Sequence, residues 1–307
     1  MGEKDLAEKT LESCNDVFAD IINVLFFGGR RKIKEQELEQ AVMGSVCKAD
    51  RKLRGQERDT AKYWRSHSIR ISLLGIENET DADGDMPLRI FGYDGASYRD
   101  QLYSVRDAKG NYRRNRNPRF PVATAVLYFG MERWNSPKTI FECVGSCLDE
   151  DMKPFVTDLK INLFEIAFLT DEQVAMFESD FRIVADYFVQ MRRNRDYKPS
   201  DIQFRHVREV LQLMSVLTRD SRFEDAANAA MEGGEAANMC EVLDRAEKRG
   251  ELKGKREGRL EGRLEKSKET AARLKARGFS NSDISDIVDI DIKTIDSWFP
   301  VDGGLTV

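Results

Sequence analysis

Three short runs rich in apolar and β-branched residues constrain this chain more than any other feature: Ser68 to Ile76 (SIRISLLGI), Pro121 to Phe129 (PVATAVLYF) and Ile161 to Leu169 (INLFEIAFL). Each is too short for a buried helix and long enough for a buried strand, so the first half of the chain is predicted to build a sheet. Helical segments separate and flank these runs. Asn15 to Phe27 carries Val17, Ile21, Val24 and Leu25 at helical spacing, with Asn15 and Asp16 to cap it and Gly28-Gly29 to stop it. Residues 35 to 54 are polar and end at Gly55, and they are read as a second helix. Asp85 to Val105 reads as a helix with Pro87 in its first turn, leading into an arginine-rich loop over residues 106 to 120. After about residue 170 the strand signal fades. Phe181 to Met191 and Ile202 to Leu217 then carry apolar stripes at a period of 3.6 residues.

The last third has a different composition. Residues 245 to 277 hold 13 basic and 6 acidic side chains, with EGRL repeated at 257 to 260 and 261 to 264. This period of four aligns Gly254, Gly258 and Gly262 on one helix face and sets the charges in stripes. Residues 271 to 299 then have a helix-turn-helix cadence. Gly278 ends one helix, Ser280 or Asn281 caps the next, and a third begins near Asp291. Residues 278 to 307 carry six acids and one lysine, so a DNA-reading helix there would repel phosphates, and a packing or oligomer-forming bundle is the competing reading.

Composition narrows the chemistry. Charged residues make up 34% of the 307, the net charge is -5, and no apolar run is long enough to span a bilayer. With no leader-like segment and five unpaired-looking cysteines, a soluble cytoplasmic protein without a membrane partner is expected. Two histidines argue against a His-rich zinc enzyme, so a metal centre would draw on carboxylates and favour hard cations such as Mg²⁺ or Mn²⁺. The carboxylates that stand out are Asp59, Glu77 and Glu79. Residues two apart on a strand share a face, so Glu77 and Glu79 project together, and Asp59 can join them from a neighbouring strand. Clustered acids on an apolar strand require a compensating cation. Such an ion activates water against a phosphodiester.

Four ordered segments carry a family resemblance: NDVFADIINVLFFGG (15 to 29), Arg58-Asp59, LLGIENETDADGDMPLRIFGYDGASY (73 to 98) and PVATAVLYFG (121 to 130). Together they resemble the PD-(D/E)XK nuclease family transposases, relatives of the Rpn recombination-promoting nucleases. The resemblance implies an α/β fold, a restriction-endonuclease-like central mixed sheet flanked by helices, with an α-helical C-terminal tail. It implies Mg²⁺-dependent DNA cleavage, with Asp59 and Glu77 as metal ligands and Asp20 as an auxiliary acid that Asp16, one turn earlier, would share. Glu79 stands where the family has lysine or glutamine. Glu79 would then be an extra ligand, or a cation such as Lys62 would offset it, or the site would be weakened.

Arg89 is read either as a partner of the carboxylates, as a phosphate contact or as a partner of Asp94. Arg106, Arg113, Arg114, Arg116 and Arg119 form the expected DNA-backbone surface. The expected organisation is a nuclease-like core over 10 to 170, a helical extension over 171 to 244, a charged helix over 245 to 277 and a small bundle over 278 to 307. Self-association is expected through the C-terminal helices. The competing functions are a catalytically inactive DNA-binding or assembly protein that keeps the fold, and a protein-binding regulator acting through the tail.

Overall fold

The computed structural model describes residues 11–41, 44–49, 52–57, 59–66, 69–102, 104–106, 112–114, 117–218, 220–231 and 238–299. Its centre is a five-stranded mixed sheet of β1 (Leu38–Gln40), β4 (Thr60–Ser66), β5 (Ile69–Glu79), β8 (Val122–Tyr128) and β9 (Asn162–Glu165), in the order β1-β4-β5-β8-β9. The β4 and β5 strands pair antiparallel, with Thr60 opposite Ile76 and Lys62 opposite Leu74. On its other edge β5 pairs parallel with β8, Glu77 against Val126 and Glu79 against Tyr128. A parallel neighbour needs a crossover. Helix α2 (Met86–Asp100) lies within that connection, with Pro87 in its first turn as its fixed φ allows.

Alternation along β5 and β8 sorts two cores onto opposite sheet faces. Leu74, Ile76, Ala125 and Leu127 face helix α1 (Asn15–Phe27), in one cluster with the fully buried Phe18, Ile21 and Ile22. Val126 and Tyr128 face α2 and pack with Met86, Ile90, Tyr93 and Trp134. Helix α1 ends where Gly28 adopts a left-handed conformation (φ 59°) and donates its N–H to Asn23 O.

The region after residue 170 is not separable from this core. The short helices α3 (Ile140–Val144) and α4 (Asp171–Ala175) are followed by α5 (Phe181–Asn194), α6 (Val207–Thr218) and α7 (Ser221–Met231). Phe181, Val184 and Phe188 of α5 and Leu211 and Met214 of α6 belong to the same cluster as α1 and the sheet. The compact unit accordingly extends to Leu243.

Two sequence expectations are corrected. Residues 35 to 54 do not form a helix: a single 3₁₀ turn (Glu35–Glu37) leads into β1, and β2 (Gly44–Ala49) pairs antiparallel with β3 (Lys52–Glu57). Helix propensity that tertiary packing does not support is a weak force, and strand pairing takes most of this segment instead. The helix read over Asp85 to Val105 ends at Asp100, and β6 (Ser104–Arg106) pairs antiparallel with β7 (Tyr112–Arg114) within the arginine-rich loop.

The second unit spans residues 244 to 307. The long helix α8 (Met239–Ala276) continues into it, followed by α9 (Asn281–Val288) and α10 (Ile292–Trp298). Ala271, Ile284 and Ile295 form its small core, with Leu274, Val288 and Trp298 against them. Ser280 caps α9 through a reciprocal box with Asp283, and Asp291 caps α10 by accepting from Lys293 N. This matches the three-helix cadence and the caps read from the sequence.

Packing makes a direct prediction. Phe18→Ala should cost about 3–5 kcal/mol of unfolding free energy, because a buried aromatic leaves a cavity. Leu264→Ala, on an exposed face of α8, should shift stability by no more than about 0.5 kcal/mol. Denaturant titration of both variants checks the contrast.

Candidate active site

The end of β5 carries a carboxylate through a nearly closed layer. Ile76 and Asn78 turn towards the α1 side, so the pleat sends Glu77 and Glu79 towards α2. Asp59 lies one residue before β4, and continuing the β4–β5 register places it across from Glu77. Its Oδ2 accepts the Asn78 backbone N–H at 2.8 Å, which fixes the carboxylate at the end of the ladder. Asp59, Glu77 and Glu79 thus share one face of the sheet, but one oxygen from each does not come within 4.8 Å of the other two.

Arg89 enters this cluster from the first turns of α2. One guanidinium nitrogen donates to Glu77 Oε1, and the other donates to Glu79 Oε1 at 2.7 Å and to Asp83 Oδ2 at 2.8 Å. The fork therefore joins three acids, a geometry that arginine supplies and lysine does not. Tyr93, one turn further along α2, donates its hydroxyl to the same Glu77 Oε1 at 3.3 Å. The other oxygen, Glu77 Oε2, is buried and has no hydrogen-bond partner among the described residues. A buried acceptor left unmade is uncommon and marks a place where another donor or a cation fits. Asp94, the alternative partner weighed for Arg89, instead accepts from the Thr124 hydroxyl at 2.8 Å.

Electrostatics follows burial. Glu77 is only 2% exposed, and that burial, together with the negative charge of Asp59, pushes its carboxyl up to about 8 against the opposing pull of Arg89. Burial raises Glu79 as well, with Arg89 again opposing. Lys62 does not offset Glu79. It is fully buried on the α1 side, where its ammonium donates to Ser13 O and Asn15 Oδ1, both at 2.6 Å, and burial holds it down to about 8.

Asp20 is not brought to the cluster. It lies on α1, on the other side of the sheet, where it pairs with Arg31. Its Oδ2 accepts the backbone N–H groups of Glu178 and Ser179 at 2.8 and 2.7 Å. A carboxylate with those partners anchors the turn before α5 and has little left for a metal. Asp16 is likewise engaged elsewhere, with His206.

The arginine surface is described only in part. Arg113 and Arg114 lie on β7, with only their backbone described, and Arg116 lies outside the described residues. The Arg119 guanidinium donates to Gln101 O, tying the segment before β8 to the end of α2. Sequence reasoning missed Tyr93 and Asp83 as partners of the cluster. The helical spacing of Arg89 and Tyr93 puts both on one face of α2, a signal that becomes useful only once that face is known to meet β5.

No protein-family model, no curated protein and no solved structure matches the chain. Among the described residues no helix is long and apolar enough to cross a membrane.

Two outcomes follow. The raised Glu77 means that the folded state holds a proton which the unfolded chain releases near its ordinary value of 4.5. Its contribution to stability is therefore fully present below that value and is lost as pH rises through about 8. Metal-free protein should lose unfolding free energy between pH 5 and 8 along a slope that Glu77→Gln flattens, measured by denaturant titration across that range. Arg89→Ala should cost about 1–3 kcal/mol by leaving carboxylate acceptors unsatisfied. Millimolar Mn²⁺ should restore part of that loss in a thermal-shift measurement.

Proposed function

We propose that this chain is a divalent-cation-dependent DNA endonuclease of the PD-(D/E)XK class, built on a restriction-endonuclease-like sheet and acting in the cytoplasm. The observation that carries the reading is Glu77 Oε2, buried and without a hydrogen-bond partner among the described residues, on the sheet face that Asp59 and Glu79 share. The donor set is all carboxylate oxygen, which suits Mg²⁺ or Mn²⁺. Asp59 and Glu77 would hold the ion, with Glu79 beside it as an added acid where the family favours lysine or glutamine. When bound, such an ion lowers the pKa of water and neutralises charge developing on a phosphodiester. Asp59 is oriented by the Asn78 N–H, and Tyr93 holds the bonded oxygen of Glu77 in place. Arg89 balances the acids without metal and, once released, would meet a phosphate. Arg113, Arg114, Arg116 and Arg119 would supply sequence-independent contacts to the DNA backbone. The C-terminal helices would serve self-association.

A specific observation favours a second reading. Arg89 already compensates Glu77, Glu79 and Asp83, as a structural cation would. On that reading the chain is a catalytically inactive DNA-binding or assembly protein that retains the fold.

A supercoiled-plasmid assay separates the two. The nuclease reading expects nicking that requires Mg²⁺ or Mn²⁺ and falls at least 100-fold in both Asp59→Ala and Glu77→Ala. Absence of metal-dependent nicking, or nicking that survives both substitutions, would leave only the second.

A further inference from the structure

We infer that Cys14, Asp16 and His206 form a second cation site, for a thiolate-binding divalent ion such as Zn²⁺, separate from the carboxylate cluster on β5. Nearly 200 residues separate His206 from the other two, and the fold brings one donor atom from each within 4.8 Å of the others. Cys14 precedes the first residue of α1, Asp16 lies in that helix's first turn, and His206 precedes α6.

The contacts have the pattern of a ligated histidine. Both oxygens of Asp16 lie against His206 Nε2, at 3.0 and 2.9 Å, so the carboxylate accepts the proton of that nitrogen. Nδ1 then carries the lone pair, and it faces Cys14 Sγ at 3.6 Å. A sulfur at about 2.3 Å and a nitrogen at about 2.0–2.1 Å from one tetrahedral zinc ion are themselves about 3.6 Å apart. A carboxylate on the far ring nitrogen is the usual partner of a metal-bound imidazole, fixing its tautomer and orientation. The thiol proton now directed at Nδ1 is the one that an ion replaces, so binding releases one proton to solvent and leaves a metal-bound thiolate.

Both ligand-bearing segments are held in place independently of any ion. Lys62 clamps residues 13 and 15 on either side of Cys14. The buried Asp180 accepts the backbone N–H groups of Arg205 and His206 at 2.8 and 2.6 Å. Neither His206 nor Asp16 is sealed, with side chains 26% and 22% exposed, so an ion has a way in and positions remain for water or a further ligand.

The same three residues in the same order also resemble a thiol nucleophile with its base. The surroundings favour the cation. Asp16, Glu209 and Asp180 set more negative charge around Cys14 than Lys62 balances, and such surroundings draw a cation to the thiol.

The test is a Co²⁺ titration of the full chain after chelator treatment, read by absorption. One equivalent should produce a near-ultraviolet thiolate-to-cobalt charge-transfer band, which Zn²⁺ then displaces. Cys14→Ser should abolish the band. His206→Gln should weaken Co²⁺ binding at least tenfold, and Asp16→Asn should do so by about 10–100-fold, the usual effect of removing a ring-orienting carboxylate. Glu77→Gln should leave the band unchanged. Wild-type protein without the band overturns the inference, and so does a band that persists in Cys14→Ser. Rapid, His206-dependent alkylation of Cys14 at neutral pH without metal uptake overturns it too, in favour of a nucleophilic thiol.

Discussion

A glutamate buried at the end of a central strand is costly unless something answers its charge. Glu77 has β4 on one side and β8 on the other, and α2 covers its face of the sheet. Three answers are available to such a group: it keeps a proton, it meets a fixed cation, or it holds a mobile one. The structure uses the first two together. Burial raises the carboxyl, and the Arg89 fork bonds one of its oxygens while bridging Glu79 and Asp83. Among the described residues the second oxygen has no hydrogen-bond partner, and a mobile cation is the answer left open for it.

The placement of this group follows from the alternation of β5. One set of its side chains, Leu74 and Ile76, seals the sheet against α1, α5 and α6, which supply most of the apolar burial. The other set must then face α2, and Glu77 and Glu79 belong to it. A one-residue slip in register would send both acids into the large core, so the hydrophobic pattern that stabilises the fold also fixes where the carboxylates stand. The same logic separates the two candidate cation sites. Asp16 and Asp20 ride on α1, across the sheet from Glu77, and each has found a different partner.

Much of this was legible in the sequence. The strands of residues 69–79 and 122–128 were visible as apolar β-branched runs, and α1 as a stripe with a glycine stop. That Glu77 and Glu79 share a face follows from strand period, and strand pairing adds Asp59 to that face. Less could be read where only tertiary packing decides. Residues 35 to 54 have helix-forming composition, yet strand pairing takes most of them. Lys62 was a plausible counter-ion by proximity in sequence, but it points to the other face, and Arg89 reaches across from α2 instead. His206 gave no signal at all, because a lone histidine acquires meaning only from Cys14 and Asp16, nearly 200 residues earlier. The helices after residue 170 looked like an extension because periodicity shows that a face is buried, not what it is buried against.

The central claim is that the Glu77 end of β5 holds a divalent cation. Anomalous scattering from crystals soaked in Mn²⁺ tests it most directly. The account predicts a peak within about 2.6 Å of oxygens from both Asp59 and Glu77, with the Arg89 fork withdrawn from Glu77. A map with no peak there, and with Arg89 still bridging Glu77 and Glu79 at saturating Mn²⁺, would contradict it.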